Sequence, residues 1–265
     1  MSGKRKYSIT QPSVEDIKRG GFSTPWDAPT IPKFPFRFRN AEILTLYWRT
    51  DPEAIAFLLP PPLEPISDMA CVHIYRMNDT DWVGAYDEAN VMIGAQLKNN
   101  INGDRTGAYS PYLVLSSDGG VSQGREVHGQ PKKFGQPSME FRGDLMVGTV
   151  QRNGIDVITG TLPYKQTTAT PDDLAPHFDF GTNLNLKSID HIDGRPAIRQ
   201  LTSRKLTDVT VHEAWTGPCT VELRPNAQLP VFRLPVIEPL QGFYWRADFT
   251  LIAGEIIHDY LKDTP

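Results

Sequence analysis

The chain has 265 residues, of which 39% are hydrophobic and 22% are charged, and its formal net charge is −4. This composition supplies enough apolar surface for a buried core and excludes a chain that is disordered by composition. The charge is mild and contains no basic run, so we expect neither nucleic acid nor an anionic membrane as a partner.

The N-terminal residues lack the apolar stretch of an export signal, and no segment approaches the ~18 apolar residues of a membrane-spanning helix. The chain has two cysteines, Cys71 and Cys219. Without an export signal, both are expected to be reduced thiols in a cytoplasmic protein. No histidine, cysteine or carboxylate spacing is typical of a metal site, so no metal is expected.

Three segments carry the signals of a helix start. Ser13, Asp51 and Thr170 are N-cap residues, each followed by acidic residues, and a proline directly follows the last two. The first segment predicts a short peripheral helix near the N-terminus. Residues 254–262 are compatible with a last helix or strand.

Most of the remaining chain alternates in polarity or is rich in β-branched and aromatic residues. Turn residues separate these runs at short intervals, which favours antiparallel sheets, and no helical pattern lies between them to support a parallel sheet. The predicted fold is a single α+β domain, mostly β, whose sheets form a closed or nearly closed barrel or cone with few peripheral helices. The predicted strands cover 43–48, 70–75, 112–115, 144–150, 156–162, 205–215 and 219–223.

The segment 124–135 contains the adjacent lysines Lys132 and Lys133. Pro131 favours an extended backbone before the pair, and successive side chains of an extended chain point to opposite faces. Only one lysine can therefore enter a barrel interior, where loss of hydration would lower its pKa and provide the neutral amine that imine formation requires. A solvated surface pair is the alternative for this segment taken alone.

Several motifs in a fixed order resemble blocks of the acetoacetate decarboxylase family. The lysine pair lies in Arg125-Glu126-x-x-Gly129-x-Pro131-Lys132-Lys133-x-Gly135-x-Pro137, which is similar to the active-site segment of that family. Further similar blocks are 47–51 (YWRTD), 60–64 (PPPLE), 205–218 (KLTDVTVHEAWTGP) and 256–262 (IIHDYLK). The resemblance implies a catalytic domain at 31–265, after an N-terminal extension at 1–30 with a short helix, and a homo-oligomer.

The resemblance also implies the roles of particular residues. Lys132 matches the lysine that forms the Schiff base, without any other cofactor, and Lys133 matches the neighbour that helps to lower its pKa. Acetoacetate decarboxylase is itself a standard example of a lysine desolvated beside another cation. The pocket glutamate of the family corresponds to Glu88, and Tyr86 shares its strand face by the period of two.

Two positions depart from the decarboxylase pattern. The family arginine is replaced by Ala41, and a second family glutamate is replaced by His73. Arg39 could substitute for the arginine, although its guanidinium would start roughly 6–7 Å away along the strand. Because the arginine and glutamate position the carboxylate and then expel it, their loss favours a different use of the lysine.

The same superfamily contains aldolase-dehydratases, which form an imine with pyruvate, add the enamine to an aldehyde and dehydrate the product. Members of this kind lack the arginine and place a polar residue four before the lysine, which is His128 here. They also carry a tyrosine near the C-terminus, for which Tyr244 is the candidate. His128 and His73 could equally be structural histidines, although histidine titrates near neutral pH and can move protons.

Three hypotheses therefore follow from the sequence. The favoured one is a Schiff-base lyase that condenses pyruvate with an aldehyde. The second is a true decarboxylase of acetoacetate or a related 3-oxo acid. The third is a non-catalytic barrel that binds a small ligand. Substrate-binding roles are predicted for His128, Tyr244, His73 and Arg39.

Overall fold

The structure is a computed structural model that describes residues 11–20, 23–30, 33–98 and 103–262. The helices in these ranges are short: α1 is Val14–Arg19, α2 is Pro52–Leu58 and α3 is Asp118–Gln123. Within the same ranges, no helix is long and apolar enough to cross a membrane. The strands are β1 Phe36–Arg49, β2 Glu64–Met77, β3 Asp79–Thr80, β4 Tyr86–Leu97, β5 Arg105–Leu115, β6 Lys132–Phe134, β7 Gln136–Arg142, β8 Leu145–Arg152, β9 Ile155–Pro163, β10 Thr167–Thr168, β11 Thr182–Asp190, β12 Pro196–Pro218, β13 Thr220–Leu223, β14 Glu238–Leu251 and β15 Glu255–Asp259.

The larger sheet closes into a ring. Its strands follow the order β12-β11-β5-β4-β2-β1-β14, and pairing of β12 with β14 joins the two ends. Neighbours are antiparallel except for β5, which pairs in parallel with both β11 and β6. A second sheet has the order β13-β9-β8-β7. The predicted fold, a single mostly β domain whose sheets form a closed or nearly closed body with few helices, is confirmed. The parallel pairing of β5 with β11 in the ring was not predicted.

The period of two in β1 separates the two buried regions. Ile43 and Tyr47 belong to the cluster inside the ring, whereas Leu44 and Leu46 belong to the cluster between the ring and the second sheet. Since adjacent side chains of a strand point to opposite faces, one continuous apolar strand supplies both regions. The ring interior is thus separated from the second sheet by a layer of buried backbone.

The helix-start predictions have different outcomes. Ser13 caps α1 and Asp51 caps α2, each side chain accepting a backbone hydrogen bond. Thr170 begins only a short 3₁₀ turn at Pro171–Asp173, and the 254–262 segment contains strand β15. Helix α3 was not predicted, because its glycine pair is typical of a turn. Cys71 and Cys219 are both free and buried.

Candidate active site

Lys132 begins strand β6, which pairs in parallel with β5 inside the ring wall and places Lys132 opposite Leu113. The Lys132 side chain is only 5% exposed. Lys133 points the other way and its Nζ donates hydrogen bonds to the carbonyl oxygen and Oε1 of Gln228. The extended backbone therefore sends one lysine into the interior and the other to the outside.

Two glycines shape the turn before Lys132. Gly129 ends a π-helical turn, Gly124–His128, with φ of +80°, and a Cβ there would lie 2.5 Å from the Cα of Lys187. Glycine is the residue that accepts both the left-handed backbone and the close approach. At Gly124, a Cβ would lie 2.3 Å from Cδ of Lys132, so this glycine leaves room for the lysine stem.

The amine of Lys132 contacts the carboxylate of Glu88. Nζ of Lys132 donates a hydrogen bond of 2.9 Å to Oε2 of Glu88, and the two side chains are 5% and 7% exposed. Burial lowers the pKa of Lys132; the Glu88 carboxylate opposes this shift, and the positive charge of Arg204 adds to it. The net effect is a lowered pKa, so the amine of Lys132 gives up its proton more readily than an exposed lysine does.

A small cavity surrounds this pair inside the ring. Its free volume is about 40 Å³, which is enough for very few water molecules. The walls are mainly apolar and aromatic, with polar groups concentrated near Lys132. The lining residues are Phe36, Phe38, Tyr75, Met77, Val83, Tyr86, Glu88, Gly120, Gln123, Gln130, Lys132, Arg204, Leu206, Phe249 and Leu251.

Two tyrosines from neighbouring strands flank Glu88. Tyr86 lies two residues before Glu88 on β4, and Tyr75 is opposite Glu88 on β2. Burial raises the pKa of both phenols, and the Glu88 charge raises each further. Both are therefore held in the protonated form, as hydroxyls that can donate hydrogen bonds. Tyr86 was predicted from its spacing, whereas Tyr75 was not.

Arg204 is a further cavity residue that was not predicted from the sequence. It lies on β12, two residues before Leu206, and both residues line the cavity. Nε and Nη1 of Arg204 are buried and have no hydrogen-bond partner among the described residues. The alternation with Leu206 could have indicated an inward side chain, but the strand was predicted to begin at Lys205.

Two predicted substrate-binding residues lie away from this cavity. Arg39 forms ion pairs with Asp79 and Asp81 at the surface, and its side chain is 41% exposed. Tyr244 faces the second sheet and donates a hydrogen bond of 3.2 Å to Oε2 of Glu42. Arg39 is held by its carboxylate partners, and Tyr244 is directed outward by the period of β14.

The two predicted histidines are buried near the site but do not line the cavity. Nδ1 of His73 lies 2.8 Å from the Tyr75 hydroxyl, and burial lowers the pKa of His73 to about 3. His128 packs against Phe34 and borders a separate cavity. Burial, aided by Arg204, Lys132 and Lys187, lowers the pKa of His128 to about 2. Both imidazoles are therefore neutral at ordinary pH.

No group of three or more histidine, cysteine, aspartate or glutamate side chains within residues 11–20, 23–30, 33–98 and 103–262 could hold a metal ion. The ring-shaped sheet encloses a desolvated lysine in contact with a buried carboxylate, in a mainly apolar cavity.

Comparisons with known proteins identify the family of the chain. The sequence profile of the family described as "Acetoacetate decarboxylase (ADC)" matches residues 22–261. Acetoacetate decarboxylase 1 of Bradyrhizobium diazoefficiens is 34% identical over 248 residues, covering 94% of this chain and 97% of the relative. The acetoacetate decarboxylase of Clostridium acetobutylicum is 35% identical over 240 residues, covering 91% and 96%. The chain belongs to the acetoacetate decarboxylase family, and it is an enzyme of the lyase type.

Solved structures give the same fold. A structure of an acetoacetate decarboxylase superposes with a TM-score of 0.86 at 33% identity, covering 95% of this chain and all (100%) of the other. The enduracididine biosynthesis enzyme MppR, complexed with pyruvate, superposes with a TM-score of 0.73 at 18% identity, covering 91% and 98%. At that identity, the second likeness concerns the fold.

Proposed function

We propose that this protein decarboxylates a small 3-oxo acid, acetoacetate or a close analogue, through an imine on Lys132. The observation that carries the proposal is the buried contact between Lys132 and Glu88 in a small apolar cavity. The family acts without a cofactor, and an imine supplies the electron sink that a cofactor would otherwise provide.

The proposed reaction begins with the neutral amine of Lys132, which attacks the ketone carbon of the substrate. The carbinolamine loses water to give a protonated C=N bond. The bond between the α-carbon and the carboxylate carbon then breaks and carbon dioxide leaves. The electron pair of that bond stays on the α-carbon and enters the C=N system, which gives an enamine. Protonation of the enamine carbon and hydrolysis release the ketone and regenerate Lys132.

Glu88 is suited to the proton transfers of this sequence. Its carboxylate lies 2.9 Å from Nζ of Lys132, within the range in which a side chain can take up or return a proton. Tyr86 and Tyr75 keep their hydroxyl protons because burial raises both pKa values. They can therefore donate hydrogen bonds to oxygen atoms of the substrate or of the carbinolamine.

Two observations favour decarboxylation over aldol condensation and dehydration. His128 and Tyr244, which support the aldolase-dehydratase hypothesis, lie outside the cavity lining. The named decarboxylase relatives are 34–35% identical, compared with 18% for MppR.

Condensation of pyruvate with an aldehyde is the second candidate. Ala41 leaves strand β1 without the decarboxylase arginine, and MppR, which shares the fold, was solved with pyruvate. Tyr86 and Glu88 both line the cavity and are available to either reaction. Pyruvate has no carboxylate β to its ketone, so it cannot follow the decarboxylation route described above.

Borohydride trapping combined with carbon dioxide release tests the proposal. Wild-type protein is treated with borohydride in the presence of acetoacetate or pyruvate, and the modified residue is located by peptide mass spectrometry. We expect a reduced adduct on Lys132 and release of carbon dioxide from acetoacetate. Lys132→Ala should abolish both, while Lys205→Met, which changes an exposed lysine, should abolish neither.

The other outcomes are distinct. A pyruvate adduct on Lys132 without carbon dioxide release from acetoacetate would favour the aldolase-dehydratase. Absence of an adduct with any oxo acid would leave a non-catalytic barrel that binds a small ligand. Full turnover by Lys132→Ala would contradict every imine mechanism.

A further inference from the structure

The charges in the cavity are unbalanced. Lys132 and Arg204 are two potential cations, whereas Glu88 is the one carboxylate among the residues that line the described cavity. A buried charge without a partner is costly. A substrate with one carboxylate would balance the site, because the iminium ion and the guanidinium would then face Glu88 and the substrate anion.

Unused hydrogen-bond donors point to the same ligand. Nε and Nη1 of Arg204 and Nε2 of Gln123 are buried and have no hydrogen-bond partner among the described residues. Both residues line the Lys132 cavity, although Arg204 comes from β12 and Gln123 from the end of α3. Buried polar groups are nearly always paired, so several unpaired donors in one cavity indicate a missing acceptor.

The position that carries an arginine in decarboxylases of this family lies inside the same ring. Ala41 is fully buried, belongs to the interior cluster with Phe38 and Phe249, and pairs with Ala247 of β14. A methyl group cannot bind a carboxylate. Strand β12 pairs with the other edge of β14, so Arg204 enters the interior from a different strand of the closed ring.

We infer that Arg204, with Gln123, binds the substrate carboxylate. The guanidinium of Arg204 on β12 thereby replaces the arginine that family decarboxylases carry at the position of Ala41. This inference rests on the proposed function and names the residues that select acids. A guanidinium provides charge together with several donors in a fixed plane, which suits a carboxylate. Ketones without a carboxylate would reach Lys132 but would leave Arg204 unpaired.

The test compares two ligands that form an imine with the same amine. Acetoacetate carries a carboxylate, and acetone does not. For wild type and Arg204→Met, the concentration that gives half-maximal borohydride trapping is measured for each ligand. The ratio of the two concentrations cancels any change in the reactivity of Lys132, because both ligands depend equally on that reactivity.

We expect Arg204→Met to raise the half-maximal concentration of acetoacetate relative to acetone by roughly 10- to 100-fold, the usual effect of losing a hydrogen bond to a charged group. Gln123→Leu should change the ratio in the same direction by a smaller factor. Lys205→Met is the matched control, because the neighbouring side chain is exposed on the opposite face of β12.

An unchanged ratio in Arg204→Met would overturn the carboxylate assignment. Equal loss of trapping by acetone and acetoacetate would also overturn it, because Arg204 would then act on Lys132 or on the fold. If wild-type protein were trapped by neither ligand, the proposed function itself would fail. These results distinguish failure of the inference from failure of the imine.

Discussion

A methyl group added at Gly124 is the smallest change that should displace the amine of Lys132. Gly124 lies at the junction of α3 and the π-helical turn, and its backbone has φ of −62° and ψ of −45°. This is the ordinary right-handed helical conformation, so alanine is compatible with the backbone. Alanine at a compatible glycine position commonly stabilises a protein, by about 0.4–1 kcal/mol.

The added methyl group would clash with the aliphatic part of the Lys132 side chain. A Cβ at position 124 would lie 2.3 Å from Cδ and 2.6 Å from Cε of Lys132. Carbon atoms in contact prefer about 3.5–4.0 Å, so the stem must retreat by roughly 1 Å. A misplacement of about 1 Å at a reacting group can reduce the rate by about 100-fold, which corresponds to roughly 3 kcal/mol in the activation free energy.

The assay measures kcat/KM for carbon dioxide release from acetoacetate alongside the free energy of unfolding in urea. We expect Gly124→Ala to lose about 100-fold in kcat/KM while its free energy of unfolding stays within about 1 kcal/mol of wild type. Gly119→Ala in the same helix is the control, because its Cβ would meet the Thr30 carbonyl oxygen at 3.1 Å and does not contact Lys132.

Wild-type kcat/KM in Gly124→Ala would refute the reasoning, because the lysine would then tolerate displacement or would not be the reacting group. A large loss in both glycine variants would assign the effect to helix α3. A large fall in the free energy of unfolding of Gly124→Ala alone would show that the clash is relieved by the backbone and not by the lysine.

Three further predictions concern the amine, its neighbour and the fold. Glu88→Gln removes the carboxylate that raises the pKa of Lys132, so the pH at which borohydride trapping is half-maximal should fall; a rise would contradict the charge assignment. Lys133→Met should leave that pH unchanged, because the Lys133 amine is bonded to Gln228 outside the cavity; a shift to higher pH would show that its charge acts on Lys132. Asp51→Ala removes the N-cap of α2 and should reduce the free energy of unfolding in urea by about 1 kcal/mol, with kcat/KM unchanged; no loss would mean that water replaces the cap.

Local sequence patterns were sufficient to predict several features of the structure. The alternation of apolar residues predicts the mostly β fold, and Ser13 and Asp51 mark the starts of two helices because an N-cap acts within one turn. The proline before Lys132 and the period of an extended chain separate the two lysines. The spacing of Tyr86 and Glu88 places both on one strand face.

The composition of the cavity required the tertiary structure. The period of a strand determines which side chains share a face, but not which strands meet around one interior. Pairing of β12 with β14 closes the ring, and that closure brings Arg204 into the cavity of Lys132 and Glu88. Tertiary contacts also keep Arg39 and Tyr244 out of this cavity. Arg39 is held outside the ring by its ion pairs, and Tyr244 lies on the face of β14 that points away from the ring interior. The lysine that we propose as the reacting amine could be identified from the sequence, whereas the charges around it depend on contacts between residues far apart in sequence.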